Sequence, residues 1–140
     1  MRRVARTIYV GIAWLALAGF LVNIYLAGMA VFVDRSYWDI HREFGYAVSL
    51  IVPIFILLGL LSWIPRQLTA WLAGLLLYYL FHTILPVLQE NLGWISAFHP
   101  VSAVLLVWLG LVHARRAGAL LLERRTAPTE PVPVKTASQV

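Results

Sequence analysis

Polar residues are rare along this chain and fall at wide intervals, so the apolar positions form long blocks with no alternating pattern. The blocks run from Val4 to Val33, Phe44 to Ile64, Leu68 to Leu88 and Leu92 to His113. Each is long enough for a helix to cross a hydrocarbon core of about 30 Å, which takes about 20 residues. With their flanks they predict helices over about 4–33, 41–64, 68–90 and 94–116, joined by short loops. The expected fold is an all-α integral membrane protein, an up-down-up-down four-helix transmembrane bundle over residues 1–118. The first block runs well past a signal-peptide core and shows no small-residue cleavage site before charged sequence, so it is read as a retained helix. Residues 119–140 include "TAPTEPVPVKTASQV", with three prolines and no apolar period, and are expected to be a flexible cytoplasmic tail.

Composition agrees with this reading. A chain of 140 residues that is 61% hydrophobic and 12% charged has too little polar surface for a soluble domain of its size. The net charge of +5 does not point to nucleic acid, because the basic residues stand at helix ends: Arg2, Arg3 and Arg6, then Arg66, then Arg115, Arg116, Arg124 and Arg125. The positive-inside rule places the N-terminus, the turn at Pro65 and Arg66, and the C-terminus in the cytoplasm of a cell that carries the chain in its plasma or inner membrane. The loops at 34–42 and 89–91 then face outward. Trp38, Trp94 and Tyr37 read as an interfacial aromatic belt.

With no cysteine there is no disulfide, no thiolate metal site and no thioether-linked heme, so any cofactor is held non-covalently or through histidine. No Gly-rich phosphate loop, His-Glu-x-x-His motif or Gly-x-Ser-x-Gly elbow is present, which argues against hydrolytic and nucleotide-driven enzymes. Only Met1 and Met29 are available as soft ligands, which argues against copper handling.

The remaining chemistry lies in His41, His82, His99 and His113, imidazoles in or beside membrane helices, where a polar side chain must be paired or functional. On the expected topology His41 opens the second helix at its outer end and His99 lies a turn into the fourth, at similar depth. His82 is in the outer half too, about 10 Å below a helix exit near Gln89. His99 and His113 are fourteen residues apart, about 40° short of four full turns, so they share a face about 21 Å apart along the axis. That is the arrangement needed to ligate two hemes stacked across a bilayer. Each histidine also has a plainer reading: an interfacial residue at His41 or His113, a structural hydrogen-bonding residue at His82, a helix start at His99-Pro100.

Through "FHP" at His99, "VHARR" at His113 and "DIHREFGYAVS" at His41, the sequence resembles the four-helix membrane b-type cytochromes. It departs from them in that His113 has no histidine at its own level on another helix. The resemblance therefore implies one non-covalent heme b near the outer face. Its iron would lie between His41 and His99, with His82 as alternative ligand or hydrogen-bond partner. Gly45, with His41 and Ser49 at four-residue steps, is expected to leave room for the macrocycle, and Arg42 and Arg35 to meet its propionates. Gly19 and Ala27, which flank Asn23 at the same spacing, read as helix-packing positions. The implied function is one-electron transfer with a quinone or a redox-partner protein, with membrane lipid as surroundings and no residue assigned to catalysis. The alternative is an accessory or pigment-binding subunit of a larger membrane complex or homo-oligomer.

Overall fold

The structure, a computed structural model, describes residues 2–62 and 64–122. Six helices follow in order: α1 (Arg2–Phe32), α2 (Tyr37–Ser49), α3 (Ile51–Ser62), α4 (Arg66–Val87), α5 (Gly93–Ser96) and α6 (His99–Leu122). Among the described residues there is no strand. The helices make four spans long and apolar enough to cross a membrane, Arg3–Phe32, Tyr37–Leu61, Arg66–Val87 and Gly93–Ala119, arranged as an all-α four-helix bundle.

The second span is broken where a single helix over 41–64 was expected. Pro53 has no N–H, and its ring crowds the carbonyl of Ser49 four residues earlier. The ladder therefore slips at Leu50, whose amide reaches back only to Ala47, at 3.2 Å, while the Ser49 hydroxyl donates to the Tyr46 carbonyl at 2.6 Å. The span also starts earlier than expected. The Ser36 amide donates to Asp34 Oδ1 at 2.7 Å, and the amides of Tyr37, Trp38 and Asp39 bond back three residues. This local turn begins α2 at Tyr37 and puts His41 one turn inside the helix. Hydrogen bonds from the Ser36 side chain, and then its amide, hold the exposed Asp34 carboxyl below the usual carboxylate range. At the other end of the chain α6 runs on to Leu122, so the first residues assigned to the tail are helical; positions 123–140 of that expected tail lie outside the described residues.

α1 is the hub. It packs along α2, α3 and α6, and α4 packs along α6. Small residues set the close approaches. A Cβ added at Gly19 would stand 3.1 Å from Val48, and one at Gly110 would stand 3.3 Å from Phe20. Tyr9, Ala13, Ala16, Phe55, Leu68, Leu72, Ala114 and Ala117 form a core at the end carrying the arginines, and Leu75, Tyr79 and Leu106 continue it toward the middle. Burial is inverted relative to a water-soluble protein: Leu60, Leu77, Val101 and Val104 are two-thirds or more exposed, while His82, Ser102 and His113 are buried. Apolar side chains turned outward over the whole length of four such spans suit a lipid environment.

Candidate functional site

Three of the four histidines converge at the end of the bundle opposite Arg3, Arg6, Arg66, Arg115 and Arg116. The rings of His82 and His99 lie nearly parallel with centroids 4.1 Å apart, and those of His41 and His99 stand 6.3 Å apart with planes at 88°. His82 is therefore level with His99, not several ångströms deeper as the apolar runs suggested. The reason is local. α4 stops at Val87 and the short helix α5 takes up Gly93–Ser96, so α6 begins at His99, about two turns after the start of its apolar block at Leu92.

Each of these imidazoles is held by its Nδ1. His41 Nδ1 donates to the backbone carbonyl of Asn23 on α1 at 2.9 Å, and His99 Nδ1 donates to the backbone carbonyl of His82 on α4 at 3.2 Å. The second bond has a cause in the sequence. In a regular helix the carbonyl of His82 would be taken by the amide four residues on, but that residue is Pro86, which has none. Pro86 thus leaves an acceptor inside the bundle, and His99 uses it. The third imidazole is fixed through a hydroxyl: Ser102 Oγ donates to the His99 carbonyl at 2.9 Å, so its lone pair accepts His82 Nδ1–H at 2.6 Å. All three rings are then Nδ1–H tautomers, and none of the Nε2 atoms has a partner among the described residues. A histidine whose Nδ1–H is bonded to a carbonyl or hydroxyl while Nε2 keeps its lone pair is prepared as a ligand.

A polar layer surrounds the rings. Tyr78 donates to the Ser102 carbonyl and Tyr79 to the Gly45 carbonyl, each at 3.2 Å. Asn23 Oδ1 is buried and unpartnered. Sequence reasoning did not assign Ser102, Tyr79 or Pro86 to the site, and took Asn23 only as part of a small-residue face. The signal for Pro86 was present, four residues after a histidine, whereas Ser102 and Tyr79 depend on which helices adjoin.

The other expected site residues are placed differently. Arg42 pairs along its own helix, with Asp39 at 3.0 Å and Glu43 at 3.5 Å, and is more than half exposed. Gly45 faces α1, where an added Cβ would stand 3.3 Å from Asn23 Nδ2, so its smallness lets α2 approach α1. Arg35 is exposed in the turn before α2. His113 is far from the other three. It is 1% exposed, and its Nε2 lies 2.8 Å from the hydroxyl of Tyr9, which is 0% exposed. Phe55 packs edge-on against both rings. With Tyr9 as donor only one polar atom is orphaned, His113 Nδ1, which has no partner. Among the described residues no group of three or more His, Cys, Asp or Glu side chains could hold a metal ion, so a free ion with three protein ligands does not fit this site.

A family model described as a family of unknown function (DUF6220) matches residues 23–86, from Asn23 on α1 to Pro86 on α4. The matched stretch is similar to that family and takes in Asn23, His41, Gly45, Tyr79 and His82, and leaves out His99 and His113. No curated protein and no solved structure matches the chain.

Proposed function

We propose that the histidine end of the bundle binds one b-type heme and that the protein is a membrane electron carrier. The observation that carries this reading is the pair His41 and His99. They come from different spans, their Nδ1 atoms are held by carbonyls on two further helices, and their Nε2 atoms are free. His41 and His99 would each offer one imidazole nitrogen to a heme held there, and their ring centres stand 6.3 Å apart. The donor set fits: neutral imidazole is an axial ligand of heme iron, and heme needs two protein ligands, where a free ion would need three or more. Bound there, the group supplies a reversible one-electron couple. The protein's own part is to fix the two tautomers and to raise the basicity of the ligands through their Nδ1–H bonds.

His82 takes a different role from the other two. Its ring lies flat on His99, beside the ligand and within the width of a macrocycle, so it is the side chain that gives way on loading. Ser102 is its tether, and the freed Nδ1–H is a donor for a propionate or for a bound quinone. The arginine-rich end is assigned to the cytoplasm by the positive-inside rule, which puts the heme toward the outer face. An enzyme reporter fused after Val140 and active only on the cytoplasmic side supports that orientation; activity only on the outer side contradicts it.

The test is the absorption spectrum of the purified full chain, expressed with heme supplied. The expected result is a protein with sharp reduced bands of a bis-imidazole heme and about one heme per chain. A second reading is favoured by the closed His82–Ser102–His99 chain of hydrogen bonds, which joins α4 to α6 as a packing device. It makes the chain a structural subunit of a larger complex, and colourless, heme-free protein would decide for it.

A further inference from the structure

At the arginine end α3 and α4 touch through side chains, a Cβ added at Gly59 standing 3.4 Å from Leu72. Between them lies an open cleft of about 400 Å³, walled by Ile56, Gly59 and Leu60 on one side and by Thr69, Ala73 and Leu76 on the other. The Thr69 hydroxyl is turned back on the Pro65 carbonyl at 3.3 Å, so the wall is apolar. Arg66, Thr69, Ala73 and Leu76 follow at steps of three, four and three on one stripe of α4. From Arg66 to Leu76 that stripe is about 15 Å long, half of a hydrocarbon core of about 30 Å and so the depth of one leaflet.

The charged residue of this stripe is Arg66. Arg116 lies over the Trp71 ring at 4.2 Å, and Arg42 is held by two carboxylates. Arg66 is exposed and has no hydrogen bond or ion pair among the described residues. A free guanidinium thus heads the α4 stripe whose next members, Thr69, Ala73 and Leu76, wall the apolar cleft.

We propose that the α3–α4 cleft holds one acyl chain of an anionic phospholipid whose phosphate pairs with Arg66. Charge decides against a helix of a second copy: among the described residues Asp34, Asp39, Glu43 and Glu90 all lie at the histidine end, so a copy inserted in the same sense brings no carboxylate to Arg66. An acyl chain running along the stripe from Arg66 passes the apolar wall of Thr69, Ala73 and Leu76 and meets no polar group there. The guanidinium fork binds a phosphate oxygen pair in a charge-assisted, two-point contact that a zwitterionic headgroup meets less well, since its own cation competes. The assignment is independent of the heme reading and concerns the opposite end of the bundle.

Native mass spectrometry of the full chain in detergent micelles, titrated with phosphatidylglycerol or phosphatidylcholine of equal chain length, tests it. The expected result is one phosphatidylglycerol retained per chain, with at least a tenfold preference over phosphatidylcholine. Arg66→Gln should remove the preference and leave weak binding of both lipids. Ala73→Leu, at an exposed position of the stripe, should fill the slot and lower retention of both by about fivefold, with helicity and melting unchanged. Arg115→Gln, on α6, should change nothing. Equal retention of the two lipids by the wild type, undiminished preference in Arg66→Gln, or an equal loss in Arg115→Gln would each overturn the assignment, the last because it would reduce the effect to general surface charge.

Discussion

His99 and His113 stand on one helix, four turns apart and on nearly the same face, yet their surroundings make them chemically opposite. At His99 the backbone carbonyl left open by Pro86 takes Nδ1–H, two more imidazoles lie within 6.3 Å, and Nε2 is free. At His113 the nitrogen that would ligate is bonded to Tyr9, the ring is sealed among Phe55 and alanines, and it is Nδ1 that lacks a partner. The difference shows that spacing along a helix places a ring, whereas the neighbouring helices decide which of its nitrogens remains available. One end of α6 leaves an imidazole nitrogen available, and the other joins α6 to α1.

The largest effect that separates the two ends is on heme content. His99→Ala should lower heme per chain at least tenfold, while His113→Leu, which keeps an apolar side chain of similar bulk, should retain more than half. Equal loss in both would place a second ligated heme at the arginine end. Next in size is the state of the iron in variants of the two neighbours of His99. His41→Ala should give a high-spin, five-coordinate heme or none. His82→Ala should remain low-spin and load at least as readily, because the ring that gives way is gone. A low-spin His41 variant beside a high-spin His82 variant would transfer the ligand role to α4.

How far all this could be read in advance differs between fold and site. The four spans follow from the length of the apolar blocks alone, since nothing but a helix satisfies its own backbone in lipid. The break at Leu50 was in principle legible at Pro53, but a proline inside an apolar run also occurs in unbroken membrane helices, and the block gives no sign of which applies. His41, His82 and His99 were legible as a group because polar side chains are so few. Their relative depth was not, because it depends on α4 stopping at Val87 and on α5 taking up Gly93–Ser96 before α6 begins. Tyr9 as the partner of His113 lies 104 residues away; only the adjacency of α1 and α6 shows it. Spacing to His41 suggests Gly45 for the side of a macrocycle, and a place at the outer surface suggests Arg42 for its propionates; the structure puts Gly45 in the contact of α2 with α1 and Arg42 in ion pairs along α2.

Smaller effects sharpen the contrast. Tyr9→Phe leaves both nitrogens of His113 unpaired in a buried site, and should cost about 1–3 kcal/mol in stability while heme content stays unchanged. Unfolding in denaturing detergent measures the first and the pyridine hemochrome the second; a parallel loss of heme would mean that the two ends are coupled. Smallest is the effect of Pro86→Ala. It returns an amide to the His82 carbonyl, weakens the bond that makes His99 more basic, and so should raise the reduction potential by no more than about 60 mV, a tenfold change in a one-electron equilibrium. Redox titration followed at the reduced bands reads it, and an unchanged or lowered potential would remove Pro86 from the account of how His99 is held.

The most direct test of ligation by the histidine end is low-temperature electron paramagnetic resonance of the oxidised full-length protein. Ligation by His41 and His99 predicts a low-spin ferric signal integrating to about one iron per chain, absent from His99→Ala and retained in His113→Leu. An axial high-spin signal as the main species in the wild type, or no iron signal at all, would contradict it.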